Sequence, residues 1–150
     1  MDLSIENNVL TNESDVFLLT NSIINNLKEL ALNHPYKRAR VCLHEDLDKK
    51  VHEMIIVAHK DGLIEPHKHP ENKPESYHVI EGTLKVLIFD NNGAIKEKFF
   101  LYEDKHPKMY RIKGNIWHQP IPESDWVVYH EVATGPFIKD KDVIYLVKDK

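Results

Sequence analysis

Pro66-His67-Lys68-His69-Pro70-Glu71-Asn72-Lys73-Pro74-Glu75, closed by Glu81-Gly82, is the stretch on which the reading of this chain turns. On an extended strand, residues i and i+2 point to one face, so His67 and His69 present two imidazoles to a common ion. A carboxylate and a turn glycine follow. The preferred carboxylate is Glu75, which heads the β-rich run Ser76-Tyr77-His78-Val79-Ile80; Glu71, nearer to His69, is the alternative. Pro70 and Pro74 stiffen the loop between them. A further histidine, His118, ends the run Gly114-Asn115-Ile116-Trp117-His118. Three neutral imidazoles and one carboxylate suit a borderline divalent ion such as zinc, iron, manganese, nickel or copper.

Outward from this stretch the pattern is mostly β. Arg38 to His44, Val51 to His59, Ser76 to Glu81, Thr83 to Asp90, Ile95 to Tyr102, Met109 to Ile112, Trp126 to Thr134 and Val143 to Val147 read as short strands. Asp61-Gly62, Glu81-Gly82, Asn91-Asn92-Gly93 and Lys113-Gly114-Asn115 supply the turns. About eight strands at this spacing predict a sandwich or barrel, and the jelly roll is the version that holds a small-molecule cavity. Val16, Leu19, Ile23, Leu27, Leu30 and Ala31 recur at helical steps, which predicts one helix from Asp15 to Leu32, stopped by Asn33-His34-Pro35. Residues 1–13 read as a short strand or a loose arm. The expected organisation is an arm and helix over residues 1–36, then a barrel with a C-terminal tail over 37–150, in one structural domain.

The 150 residues match the usual size of one domain. A net charge of -4 gives no electrostatic case for nucleic acid or an acidic membrane. Cys42 is the one cysteine, so no intrachain disulfide can form, and a cytoplasmic location is expected. The N-terminal stretch has no basic and apolar leader pattern, and no apolar run approaches the ~20 residues of a membrane span.

The motifs in order resemble a cupin. The usual first cupin motif runs Gly, five residues, His-x-His, three or four residues, Glu, six residues, Gly. Here it reads Gly62, four residues, His67-Lys68-His69, five residues, Glu75, six residues, Gly82. In the second motif Gly114 and His118 are recognisable, with Ile112 and Pro122 where proline and asparagine usually stand. The flanks narrow the resemblance to the WbuC-type cupin-fold metalloproteins. They are Lys37-Arg38-Ala39-Arg40, Cys42-Leu43-His44, Val51-His52-Glu53-Met54, Phe89-Asp90-Asn91-Asn92-Gly93 and His130-Glu131-Val132-Ala133-Thr134-Gly135-Pro136-Phe137. The match covers roughly residues 37 to 137. It implies an all-β double-stranded β-helix, the jelly-roll cupin barrel, with one N-terminal α-helix. It also implies a divalent metal (Zn, Fe, Mn or Ni) on His67, His69, Glu75 and His118, and a homodimer.

Around that expected site, Arg38 and Arg40 share a strand face and form an anion clamp if that face is inward. Trp117 and Tyr77 are expected to wall the substrate. Expected catalytic groups are His130, His78 and Arg40. Strand parity sends His130 and Glu131 to opposite faces, so at most one of them lines the cavity. His44, His52, Glu53 and His59 are further cavity candidates. The resemblance implies action on a sugar or nucleotide-sugar of surface polysaccharide synthesis, by metal-assisted isomerisation or epimerisation. Alternatives are a non-catalytic sensor with a structural metal, an iron-dependent dioxygenase and a metal-free epimerase. The expected ligand is a small molecule, anionic in the favoured case.

Overall fold

The computed structural model describes residues 3–147. Twelve strands and one helix follow in the order β1 (Leu3–Glu6), β2 (Val9–Asn12), α1 (Asn21–Leu32), β3 (Arg38–Cys42), β4 (Val51–His59), β5 (His67–Lys68), β6 (Glu75–Glu81), β7 (Thr83–Phe89), β8 (Ile95–Tyr102), β9 (Met109–Ile112), β10 (Trp117–Pro122), β11 (Trp126–Thr134) and β12 (Ile144–Tyr145). They form a seven-stranded sheet, β1-β2-β3-β4-β11-β6-β9, and a five-stranded sheet, β12-β5-β10-β7-β8. β2 runs parallel to β3; the other pairings are antiparallel. This is the expected all-β jelly roll with one helix.

The larger sheet carries a core on each face. Ala39, Val41, Ile55, Val57 and Val128 meet Ile23, Ile24, Leu27 and Ala31 of α1. The alternate residues Ile56, Ala58, Tyr77, Val79, Val127 and Tyr129 face the other way, onto Leu84, Val86 and Leu101 of the smaller sheet. A step of one residue switches the face, which is why β4 reads as a continuous apolar run rather than an alternation. The helix therefore buries its stripe within its own chain, and that stripe does not call for a partner subunit.

Four expectations change. The helix begins at Asn21, not Asp15. Thr20 is extended (φ -114°, ψ 161°), and its hydroxyl accepts from the Ile23 N–H at 3.3 Å, the usual N-cap bond. Phe17 and Leu19 still pack against the helix core, so their apolar pattern reports burial without helix. Residues 3–12 form a hairpin that extends the larger sheet through β2. β10 lies where Pro120 and Pro122 argue against a strand. It pairs with β7 along Trp117–Pro122, but with β5 at His118 alone. Beyond that residue the β5 side asks for no ladder, which leaves room for two residues that cannot donate. β12 is also shorter than the expected Val143–Val147. No helix among the described residues is long and apolar enough to cross a membrane.

Leu27 has no exposed surface and sits between helix and sheet. Leu27→Ala is expected to cost about 2–5 kcal/mol of stability, from lost transfer and the cavity left behind. Urea unfolding followed by circular dichroism measures it.

Candidate metal centre

β5 and β10 set the first contact. His67 and His118 are cross-strand partners, and their ring centroids lie 4.5 Å apart. His69 follows two residues after His67, with its centroid 5.2 Å from His67 and 5.5 Å from His118. Its backbone is pinned by the Asn115 N–H, which donates to the His69 carbonyl at 2.7 Å. Gly114 permits that approach, since a Cβ there would stand 2.0 Å from the Pro70 carbonyl oxygen. Glu75 comes from the opposite sheet, at the head of β6, and points inward with 3% exposure. The two sheets thus deliver three imidazoles and one carboxylate to a single point. Glu71 is exposed, so the carboxylate at the cluster is Glu75.

Each ring has its Nδ1 against a backbone carbonyl: His67 on Glu65 at 2.8 Å, His69 on Asp142 at 2.6 Å, His118 on Ile116 at 2.9 Å. A carbonyl only accepts, so each Nδ1 carries the proton and each neutral ring keeps its Nε2 lone pair free. One ligand atom from each of the four residues lies within 4.8 Å of the others. Glu75 Oε1 is 2.8 Å from His118 Nε2, and Oε2 is 3.1 Å from His69 Nε2. Yet these four atoms are buried without a hydrogen bond of acceptable geometry. Orphaned buried polar atoms are expensive. Here their spread is about what bonds of ~2.0–2.2 Å to one ion require. The donor set fits a divalent first-row metal.

Electrostatics agree. Burial, then the neighbouring His118, pushes His67 down to about 4. Burial opposes charge on His69 as well, but contact with the Glu75 carboxylate raises it on balance. Burial would raise Glu75, and the imidazoles of His118 and His69 override it, holding the carboxylate well below its usual range. The site therefore has an ionised carboxylate facing His69 and His118.

The remaining candidates divide by strand parity. Tyr77 faces the interior, with its ring 5.2 Å from Tyr110 and 4.9 Å from Tyr129. Glu131 is inward as well; burial, then the charge of Glu75, raises it well above the usual carboxylate value. Arg38 and Arg40 share that side and pull Glu131 downward, with Arg40 exposed. His130 and His78 are partners across the opposite face. His130 Nε2 contacts Glu53 Oε2 at 2.9 Å, and His78 is exposed. Trp117 also turns away from its neighbour His118, with the Lys68 ammonium 4.5 Å from its ring centroid. His130, His78 and Trp117 are thus not brought to the cluster, because each is one residue out of phase with an inward neighbour. His44 and His52 stack on each other at 4.0 Å, and the His59 ring meets Trp126 at 4.7 Å.

Sequence reasoning missed three residues. Tyr110 has an enclosed hydroxyl without a partner. The sequence predicts its strand, Met109 to Ile112, but not the pairing that sets it opposite Tyr77. Lys73 and Asp142 form a 2.5 Å ion pair beside His69. Nothing local in the sequence couples positions so far apart.

Residues 19–101 match the family described as "Domain of unknown function (DUF6016)". That is more than half the chain, which belongs to this family. No curated protein matches the sequence. Among solved structures, the capsular polysaccharide assembling protein CapF from Staphylococcus aureus aligns with a TM-score of 0.60 and 16% identity over 71% of this chain and 29% of CapF. An oxalate oxidase in complex with the substrate analogue glycolate gives 0.57 and 14%, over 75% of this chain and 57% of that one. Bacillus subtilis oxalate decarboxylase, described for its Mn(II) centres, gives 0.52 and 17%, over 65% and 24%. The chain spans between 24% and 57% of the lengths of these structures. At such identities the likeness is one of fold, and it is the cupin jelly roll.

Two outcomes follow for the metal-free and metal-loaded protein. Zinc at about 100 times its Kd is expected to raise stability by about 2.7 kcal/mol, and a chelator to remove the gain. Glu75→Ala and His118→Ala should abolish it, as read from denaturant midpoints and bound zinc by elemental analysis. Away from the metal, burial and then the neighbouring His52 lower the pKa of His44. Its contribution to stability is complete above the free histidine value of ~6.5 and is lost as the pH falls below it. His44→Gln should accordingly narrow the difference in Tm between about pH 7.5 and about pH 5.5, on either side of that value.

Proposed function

We propose that this chain is a metal-dependent enzyme of the WbuC type, acting on a sugar or nucleotide-sugar of surface polysaccharide synthesis by isomerisation or epimerisation. The observation that carries the metal-dependent part is the convergence of Glu75 with three imidazoles whose Nδ1 protons are already committed to backbone carbonyls. The substrate class draws on the resemblance of the sequence. It is consistent with CapF, named for capsular polysaccharide assembly, among the proteins of like fold. The reading takes the protein as a cytoplasmic homodimer, with zinc, iron, manganese and nickel as the candidate ions.

A divalent ion on these ligands supplies a Lewis acid for a carbonyl or hydroxyl oxygen. The chain's own groups do the rest. Arg38 and Arg40, on the inward side of β3, hold the anionic part of the ligand. The Tyr110 hydroxyl, enclosed and unpartnered, donates to a ligand oxygen. Tyr77 and Tyr129 wall the interior. Glu131 takes the acid–base role expected of His130, because it is the inward neighbour of that pair. It accepts or returns the proton on the carbon beside the polarised oxygen.

A second reading, binding without turnover, draws support from the outward placement of His78 and His130. Glu131 is then a buried carboxyl on the inner face beside Glu75. Metal-loaded protein incubated with nucleotide-sugars in deuterated water separates the two. Solvent deuterium in the recovered sugar is expected for the enzyme, and Glu131→Gln should slow its incorporation about 10²–10⁴-fold while keeping bound metal. Tight binding with no deuterium in any sugar would leave the sensor reading.

A further inference from the structure

Residues 137–146 run beside the metal centre and bond to the segment that carries His67 and His69. The Asp142 carbonyl accepts from His69 Nδ1 at 2.6 Å. The Asp142 carboxylate takes the Lys73 ammonium at 2.5 Å and the Ile138 N–H at 2.8 Å. Lys73 donates in addition to the Pro136 carbonyl. β12 pairs Tyr145 with His67 and Ile144 with Lys68, and the Leu146 N–H donates to the Pro66 carbonyl at 3.0 Å.

Lys73 belongs to the loop that carries His69 at one end and Glu75 at the other. Asp142 thus grips that loop twice, by side chain to Lys73 and by backbone to His69. The Lys73–Asp142 pair is shielded, with side chains 13% and 6% exposed. Apart from these bonds the segment buries little apolar surface, since Phe137, Ile138, Ile144 and Tyr145 are all exposed. A segment with so few buried contacts opens at low cost, so its docking depends on the clasp.

We infer that this segment is a strap whose docking completes the metal centre, with Asp142 as the positioning residue for His69 and Lys73 as its clasp. An undocked strap leaves His69 Nδ1 without its acceptor and frees the ring to turn. A docked strap holds Nε2 toward Glu75. The two equilibria are linked, so what favours docking favours metal binding, and metal binding favours docking by the same factor. The inference rests on the metal reading above and adds regulation of that site by a distant part of the chain.

The test uses the full chain and zinc alone. Zinc affinity is measured by competition with a chelator, and amide hydrogen exchange of residues 137–146 is followed with and without zinc. In the wild type, zinc is expected to slow exchange at Ile138, Asp142 and Leu146. Lys73→Met and Asp142→Asn should each weaken zinc by about tenfold or more, the usual effect of losing a partner behind a ligand, and should lose the slowing. Lys73→Arg, which keeps the charge, should restore both. The two variants attack the clasp from opposite sides, so a folding failure in one leaves the other to decide. Unchanged zinc affinity in the folded variants, or strap exchange indifferent to zinc, overturns the strap and leaves the metal reading standing. A wild type that takes up no zinc overturns both.

Discussion

Three backbone carbonyls, those of Glu65, Ile116 and Asp142, fix the proton on the outer nitrogen of three rings. The rest of the site depends on that constraint. It leaves three lone pairs and one carboxylate pointing at a common volume inside a closed shell. Without a cation there, the shell would hold unsatisfied polar atoms at a cost of about 1–3 kcal/mol each. The fold tolerates the arrangement because its hydrophobic work is done elsewhere, in the two cores on either face of the larger sheet. Glu75 lies two residues along β6 from Tyr77, a member of the second of those cores.

Much of this was legible in the sequence, because the strand period is a local property. His67 and His69 two apart, and Glu75 at the head of an alternating run, announced their common face without any knowledge of tertiary structure. The same rule showed that His130 and Glu131 could not both point inward. It could not say which of them did, since that depends on the sheet each strand joins and on which face is covered. β11 settles the matter by pairing Glu131 with Tyr77 on the inner face and His130 with His78 on the outer one. Arg38 and Arg40 were undecided for the same reason and fall on the inner side.

What stayed hidden was long-range. The bond from His69 to Asp142 spans 73 residues, and no periodicity or motif encodes it. β10 was hidden for a different reason: local chemistry spoke against a strand, and tertiary context overrode it. Helix α1 shows the converse, an apolar rhythm that continues upstream of the helix because Phe17 and Leu19 serve the same core in extended form.

The donors at the centre come from both sheets, and one of their props comes from the tail. A partly assembled chain, with one sheet formed or the tail astray, offers the cation at most a fraction of its ligands. An unfolded chain offers no preformed site at all. Coordination would therefore report on assembly: a cation held by His67, His69, Glu75 and His118 needs strands of both sheets in place, and binding and folding would favour each other.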